Sequence, residues 1–210
     1  MKKAFWALVL GLVAASAIVM DRAYATDTLY FSPSGKSGPA GTNVEMIVKL
    51  DTEREVGAIV IFVEHDGDTD FVSAVQGSTV SGWDIDVYED IEDYPNSAWI
   101  LLIGNGTEYV TGSGQQVAKL TFTLGGCGTN SPITWVADDC EFKSYLSTVQ
   151  LETINPTTLT SCAGDETLTF GNGTVTATVP PCGCVCEMKQ FGDDSPVDSK
   201  TWTATKQLYR

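Results

Sequence analysis

The stretch VEMIVKLDTEREVGAIVIFVEHD, residues 44–66, decides the fold class of this chain. In residues 44–50 apolar side chains alternate with mixed ones, which is the pattern of a strand with one buried face. Residues 56–64 then form a nearly continuous apolar run that is rich in β-branched side chains, as in a strand that is covered on both faces. The stretch therefore predicts strands in the middle of a β-sandwich.

Further strand candidates lie between segments that are rich in Gly, Pro, Ser and Asn. The candidates are residues 71–75, 83–88, 98–103, 116–124, 133–136, 167–170 and 174–179. The breakers are SPSGKSGPAGTN (32–43), GNGTEYVTGSG (104–114), GGCGTNSP (125–132) and GNG (171–173). No apolar period of three to four residues is sustained over a helical length, so the sequence predicts an all-β sandwich or barrel with little helix.

The two ends of the chain differ from this middle region. Lys2 and Lys3 precede an apolar stretch, residues 4–20, and Ala-Tyr-Ala at 23–25 supplies the small residues that a signal peptidase accepts. Residues 1–25 are predicted to be a removed signal peptide, with a retained membrane anchor as the alternative. No other segment reaches membrane-spanning length, so the mature chain is predicted to be secreted, either extracellular or at the cell surface.

Residues 26–180 are predicted to form the sandwich and residues 181–210 a Cys-rich tail. The last ten residues of the tail fit one short amphipathic helix with Trp202, Leu208 and Tyr209 on overlapping sides. A sorting or anchoring role and a disulfide-tethered surface tail are both open for this segment.

The charge balance is acidic, with 12 Lys and Arg against 27 Asp and Glu and a formal net charge of -15. Such a surface argues against nucleic-acid binding, which requires a basic face. It fits an exported protein, and one that holds divalent cations or meets a basic partner.

Six cysteines, an even number, agree with export into an oxidising compartment and predict up to three disulfides. The candidates are Cys127, Cys140, Cys162, Cys182, Cys184 and Cys186. Cys127 and Cys140 could pair and close a hairpin around residues 133–136, and the closely spaced tail cysteines are expected to reach back to the body. A thiolate metal site is disfavoured, because Cys-x-Cys-x-Cys lacks the C-x2-C pairs of zinc ribbons. The connectivity stays open.

The order of the motifs resembles a cohesin domain. TLYFSPSGKSGPAGTNVEMIVKL (28–50) looks like the opening of that family, and VGAIVIFVEHD (56–66) like its next strand, which usually closes on Tyr-Asp where His65-Asp66 stand here. FVSAVQGS (71–78) resembles the following short strand. GSGQQVAKLTFTL (112–124) is similar to a Gly-x-Gly-x-x-apolar-Ala signature of the family, and PITWVADDCEF (132–142) to a late strand.

The resemblance covers roughly residues 28–179 and implies a jelly-roll β-sandwich of about nine strands, related to bacterial carbohydrate-binding modules. Cohesins of cellulosomes bind dockerins, which are calcium-loaded helical modules of enzymes, through one sheet face. Cohesin-like domains also occur in exported proteins with no known cellulosome.

The stretch VEHDGDTDF, residues 63–71, raises the question of a metal site. Asp66, Asp68 and Asp70 stand at alternate positions, and such oxygens can converge on calcium, which takes about six to eight oxygen ligands. A full EF-hand is excluded, because Phe71 and Gly77 stand where the loop needs Gly and Glu. A solvated turn is favoured, and a partial calcium site is the alternative. No other cofactor is predicted.

Catalysis is not predicted. The single histidine, His65, adjoins Asp66, but a catalytic triad meets in space and no Gly-x-Ser-x-Gly elbow is present. The acidic segment WDIDVYEDIEDY (83–94) could supply a pair of glycosidase carboxylates, yet its alternation favours an edge strand with solvated acids.

The aromatic residues offer a sugar-stacking platform, for which Trp83, Tyr88 and Tyr94 are the candidates. Trp99 and Trp135, inside apolar strands, are expected in the core. The sequence thus predicts a secreted, non-catalytic binding or adhesion module that recognises a protein partner, such as a dockerin-like module, or a cell-surface polysaccharide. The alternative is a self-associating structural component of an extracellular layer or filament, and a polysaccharide-acting enzyme is the least favoured reading.

Overall fold

The computed structural model describes residues 26–178 except 92, 127, 138–139 and 160–161. These residues form twelve strands and one 3-10 turn, Ser78–Val80, so the all-β prediction is confirmed. The strands are β1 Asp27–Phe31, β2 Gly35–Pro39, β3 Asn43–His65, β4 Asp70–Gln76, β5 Asp84–Ile91, β6 Tyr94–Ile103, β7 Val110–Thr123, β8 Asn130–Trp135, β9 Tyr145–Thr148, β10 Thr153–Pro156, β11 Asp165–Gly171 and β12 Gly173–Thr178. No helix in this part of the chain is long and apolar enough to cross a membrane.

The predicted signal peptide, residues 1–25, and the predicted tail, residues 181–210, lie outside the described residues. The same holds for the C-terminal helix and for Cys127, Cys182, Cys184 and Cys186. These predictions stand as the sequence makes them.

The long strand β3 organises the sandwich. The two predicted strands at 44–50 and 56–64 are one continuous strand of 23 residues, because the charged interval between them stays extended. Residues 43–50 pair with β7 on one side and β1 on the other, whereas residues 58–64 pair with β6. The register with β7 shifts repeatedly between Val48 and Val56, and such irregularities bend a strand. The strand therefore passes from one layer of the sandwich into the other.

Each layer can be read from the pairing. The first layer runs β4, β7, the first half of β3, β1 and β11. The second layer runs β5, β6 and the second half of β3, whose far edge pairs with β9 at Val56–Val60 and with β8 at Val63–His65. Strands β12 and β2 extend the second layer beyond β8.

Four short strands, β1, β2, β9 and β10, add to the strand candidates taken from the sequence pattern. Strand β2 lies inside the segment that was expected to be a breaker, because it pairs in parallel with β12 from Gly35 opposite Thr174 to Pro39 opposite Thr178. Its extended form thus depends on a partner about 140 residues away along the chain. Local composition carries no signal for such pairing.

The core lies between the layers and takes one side of each strand. Phe122, Met46 and Leu120 come from the first layer, and Ile61 and Ile100 from the second, all with almost no exposed surface. Val60 and Phe62 point to the other side of β3 and are nevertheless buried. The nearly continuous apolar run therefore predicted correctly that this strand is covered on both sides.

Candidate docking surface

The outer side of the second layer carries an open patch, here called the docking face. Residues that are directly opposite in an antiparallel ladder point to the same side of the sheet, so the register defines its rows. The first row is Asp84, Ile103, Ala58 and Ser147, the second is Asp86, Leu101, Val60 and Tyr145, and the third is Tyr88, Trp99 and Phe62.

Apolar side chains of this face are open to water. Tyr88 is 50% exposed and Ile103 is 43% exposed, while Trp99 and Leu101 between them are half-buried. The rings of Tyr88 and Trp99 pack with centroids 5.4 Å apart and planes tilted by 36°. Contiguous exposed apolar side chains on a sheet are typical of surfaces that bind a partner.

The rim of the face is acidic. Among the described strands β5 pairs only with β6, and it exposes Asp84 and Asp86, so the predicted acidic edge strand is present. None of the described Lys and Arg residues stands in the three rows of this face. They are Lys36 in β2, Lys49 and Arg54 in the first part of β3, Lys119 in β7 and Lys143 in the connection from β8 to β9.

One end of the face is covered by the connection between β8 and β9. Ser144 Oγ accepts a hydrogen bond from the Phe62 amide at 2.8 Å and donates one to the Phe62 carbonyl at 2.9 Å. Over the Phe62 ring lie Tyr94, with ring centroids 5.1 Å apart, and beyond it Phe142, whose centroid is 5.9 Å from that of Tyr94. This aromatic cover buries Phe62 and limits the docking face on that side.

A disulfide fastens this connection. Cys140 pairs with Cys162, which lies between β10 and β11, with Cα atoms 5.6 Å apart. The pairing of Cys127 with Cys140 that the sequence left open is therefore wrong, since Cys140 is already bonded. The reason is tertiary: the segment after β10 folds back beside the segment after β8, and Thr158 Oγ1 donates to the Ala137 carbonyl at 2.7 Å.

The proposed sugar platform is not formed by its three candidates. Trp83 is 5% exposed and belongs to the core, because the 3-10 turn before it directs the side chain beneath the layer. The ring of Tyr94 packs against the rings of Phe62 and Phe142 and is therefore not an open platform. Only Tyr88 is openly exposed, and its neighbour is Trp99, which was expected in the core and instead lies on the outer side. Trp135 is buried as expected.

The aspartates of the β3 to β4 connection form a turn. Asp66 Oδ1 accepts a hydrogen bond from the Asp68 amide at 3.2 Å, and the Asp66 carbonyl accepts one from the Thr69 amide at 3.2 Å. Within the described residues no three His, Cys, Asp or Glu side chains are grouped so that they could hold a metal ion. The structure therefore does not bring Asp66, Asp68 and Asp70 together as a ligand set.

His65 is held at the end of β3. Its Nδ1 lies 3.0 Å from the Asp66 carbonyl oxygen, and its ring packs edge-on against Phe122 with centroids 5.9 Å apart. The carboxylates of Asp84 and Asp86 stand on an open sheet face rather than in a cleft. Neither arrangement assembles a nucleophile, base and orienter.

Sequence reasoning missed the residues that form the centre of the docking face, Trp99, Leu101 and Ile103. The sequence did carry a signal for these exposed residues. Residues 97–103 of β6 are apolar at almost every position, although β6 pairs with the acidic strand β5. An apolar run opposite an acidic strand indicates a sheet whose outer side is partly apolar. The signal becomes usable only when the register with β5 is known.

Comparison with known proteins identifies the architecture. No protein-family model and no curated protein sequence matches the chain. Solved structures do match: a non-cellulosomal cohesin from the archaeon Archaeoglobus fulgidus superposes with a TM-score of 0.53 at 13% identity, covering 74% of this chain and 93% of that one. The structure of a type I cohesin–dockerin complex from Clostridium thermocellum matches with a TM-score of 0.54 at 16% identity, covering 74% and 94%.

A third structure, the seventh ScaB type I cohesin from Pseudobacteroides cellulosolvens, matches with a TM-score of 0.52 at 11% identity. It covers 76% of this chain and 97% of the cohesin. Each of these cohesins is matched over more than nine-tenths of its length, so the likeness extends over a whole domain rather than over a shared motif. The described part of this chain therefore has the fold of a cohesin domain.

Proposed function

We propose that this chain is a non-catalytic binding module that recognises a protein partner through the docking face. The observation that carries the proposal is the exposed apolar patch of Tyr88, Trp99, Leu101 and Ile103 with acids along one edge. Interfaces commonly combine an aromatic and aliphatic centre with a polar rim. One of the similar structures is a cohesin bound to a dockerin, which supports a dockerin-like module as the first partner to test.

The energetic reason is the apolar area that a partner would remove from water. Each square ångström of apolar surface contributes roughly 25 cal/mol, and Tyr88 and Ile103 expose about half of their surface in the free chain. A sheet is also a rigid platform, so little conformational entropy is lost when it binds.

Export is part of the proposal. The disulfide between Cys140 and Cys162 supports an oxidising compartment, where such bonds form and persist. The N-terminal sequence adds the features of a secretory signal, so the proposed site of action is extracellular or at the cell surface.

The test compares two matched double variants against a panel of purified dockerin modules by biolayer interferometry. Tyr88→Ser with Ile103→Ser removes the exposed apolar groups of the docking face, and Val72→Ser with Val75→Ser removes two β4 side chains that are each 44% exposed. We expect the first variant to weaken binding at least tenfold, about 1.4 kcal/mol, and the second to bind like the wild type.

Equal losses in both variants would assign the effect to general surface change. A wild-type chain that binds no dockerin of the panel would remove the dockerin-like partner from the proposal. Size-exclusion chromatography of the same samples reports self-association, and a dimer that the docking-face variant abolishes would replace the dockerin by a second copy of this chain.

A cell-surface polysaccharide is the second candidate, and the exposed ring pair of Tyr88 and Trp99 favours it. Sugar rings stack on such aromatic surfaces through their apolar faces. A glycan array probed with the wild type and with Tyr88→Ala distinguishes the candidates: a signal that this substitution abolishes supports the polysaccharide, and a blank array excludes it for the glycans tested.

A further inference from the structure

A cavity of about 410 Å³ lies beside the end of β8, next to the antiparallel ladder that β8 forms with β3. It is lined by Glu64, Trp135, Val136, Ala137, Thr158 and Leu159. Glu64 stands opposite Ser97 and two residues beyond Phe62, so it belongs to the outer side of the second layer, like the docking face. This volume is within the range of pockets that take a small ligand or one large side chain.

The walls of the cavity are fixed in the free chain. Thr158 and Ala137, from two segments that line the cavity, are joined by a hydrogen bond of 2.7 Å, and the Cys140–Cys162 disulfide links the same two segments a few residues further on. Trp135 is anchored by its indole N–H, which donates to the Gly171 carbonyl at 3.0 Å, and by a stacked contact with Phe170. Such preformed walls lose little entropy when a ligand enters.

Among the described residues that line this cavity, Glu64 is the only one with an ionisable side chain. It is half-buried, and no described residue gives its carboxylate a hydrogen bond or a salt bridge. The neighbouring side chains Val136, Ala137 and Leu159 are apolar, and the Thr158 hydroxyl already donates to Ala137. A carboxylate beside an apolar wall is complementary to a cation on an aliphatic chain.

We propose that this cavity binds the aliphatic stem and cationic head of one Lys or Arg side chain from the protein that docks on the neighbouring face. The stem lies along Val136, Ala137 and Leu159, and the ammonium or guanidinium group meets the Glu64 carboxylate. Val60 and Glu64 are four residues apart on β3, about 13 Å, so one partner can cover both sites within an interface of roughly 800 Å² per side. That the cation belongs to a docked protein rests on the proposed function. The complementarity between this cavity and an aliphatic cation does not depend on it.

The first experiment uses the full chain with its disulfide intact and n-butylguanidinium chloride as the probe, followed by NMR. We expect saturable shifts of the Trp135 indole and of the Ala137 and Leu159 methyl signals, with 1-butanol giving at least tenfold weaker binding. Glu64→Gln keeps the shape of the side chain and should weaken binding of the cation at least tenfold. Glu45→Gln, which removes an exposed carboxylate of the other layer, should leave it unchanged.

No saturable shift, or equal binding by Glu64→Gln, would overturn the proposal whether or not any partner is known. The thermal melting temperature of each variant verifies that the chain is folded. The second experiment measures the dockerin bound in the interferometry panel. If Glu64→Gln weakens dockerin binding and Glu45→Gln does not, the cation comes from the partner. Unchanged binding by Glu64→Gln contradicts the partner as the source of the cation.

Discussion

The two outer faces of the sandwich differ in how their side chains are satisfied. The face of the first layer exposes Val75 of β4, opposite Lys119, but polar groups of this face bind each other: Lys119 lies 3.0 Å from Glu45, and Thr28 and Thr169 share a hydrogen bond of 2.9 Å. The docking face of the second layer exposes Tyr88 and Ile103, and its acids have no basic neighbour among the described residues of that face.

The difference shows which surface has free energy to gain from a partner. A polar face whose groups already pair must break those contacts, or desolvate them, when another protein covers it. An exposed apolar face loses only contact with water, which is favourable. The sheet architecture is common to both faces, so the choice of side chains alone makes one of them a candidate for binding.

The largest effect is expected from two aromatic residues that the sequence treated alike. Trp83→Ala removes a buried side chain and should lower the free energy of unfolding by about 3–5 kcal/mol, whereas Tyr88→Ala, at a half-exposed position, should cost less than about 1 kcal/mol. Urea denaturation of both variants provides the values. Similar losses for the two substitutions would contradict the assignment of Tyr88 to an open surface.

The second effect concerns the cover over Phe62. Cys140→Ser with Cys162→Ser opens a loop that spans 22 positions and should cost about 3 kcal/mol in the chain-entropy description of disulfides. The amide of Phe62, which donates to Ser144 Oγ, should then exchange its hydrogen faster than amides of β7 on the other layer. Uniform acceleration across both layers would show that the disulfide stabilises the whole domain rather than this end of the docking face.

The smallest expected effect on stability comes from the ionisation of Tyr30 on the face of the first layer. Burial, the negative charge of Asp51 and the hydrogen bond of 3.3 Å from Tyr30 Oη to Asp51 Oδ1 together raise the pKa of Tyr30 above its usual 10.0. A raised pKa means that folding favours the neutral phenol, so this contribution to stability is complete below pH 10 and is lost as the pH rises through the folded-state pKa.

Asp51→Asn should shift the Tyr30 titration to lower pH, because it removes the negative charge and keeps an acceptor oxygen. NMR of ring-labelled tyrosine follows this single residue among seven. An unchanged titration in the variant would show that burial alone raises the pKa, and that the polar groups of this face are less coupled than their distances indicate.

Much of the fold was accessible from the sequence because it depends on local pattern. Residues 44–50 and 56–64 alternate or run apolar in the way that their burial requires, and Gly-rich segments separate most strands where the chain turns. The aspartates at 66, 68 and 70 lack the spacing of a complete calcium loop, and the structure gives them turn hydrogen bonds. The order of motifs indicated a cohesin-like sandwich, which is confirmed.

The candidate site was predicted less well, because exposure depends on neighbours that are distant in sequence. Trp83 and Trp99 were each assigned to the wrong side: one is covered by the opposite layer, and the other lies beside Tyr88 on the outer surface. Trp83 precedes an acidic segment and Trp99 stands in an apolar run, so local composition indicated the opposite of the exposure that the fold gives them. The partner of Cys140 was equally undetermined until the segments after β8 and β10 were seen side by side.

The sequence by itself determined that the chain is β throughout its described part, which positions can enter a core, and that its surface is acidic. These properties follow from side-chain periodicity and composition, which are local or additive. Only the tertiary structure decided that β3 joins two layers, that Cys140 bonds to Cys162, and that Asp84, Ile103, Ala58 and Ser147 form one row. Each of these depends on strand register between remote segments, which is set by packing of the whole domain.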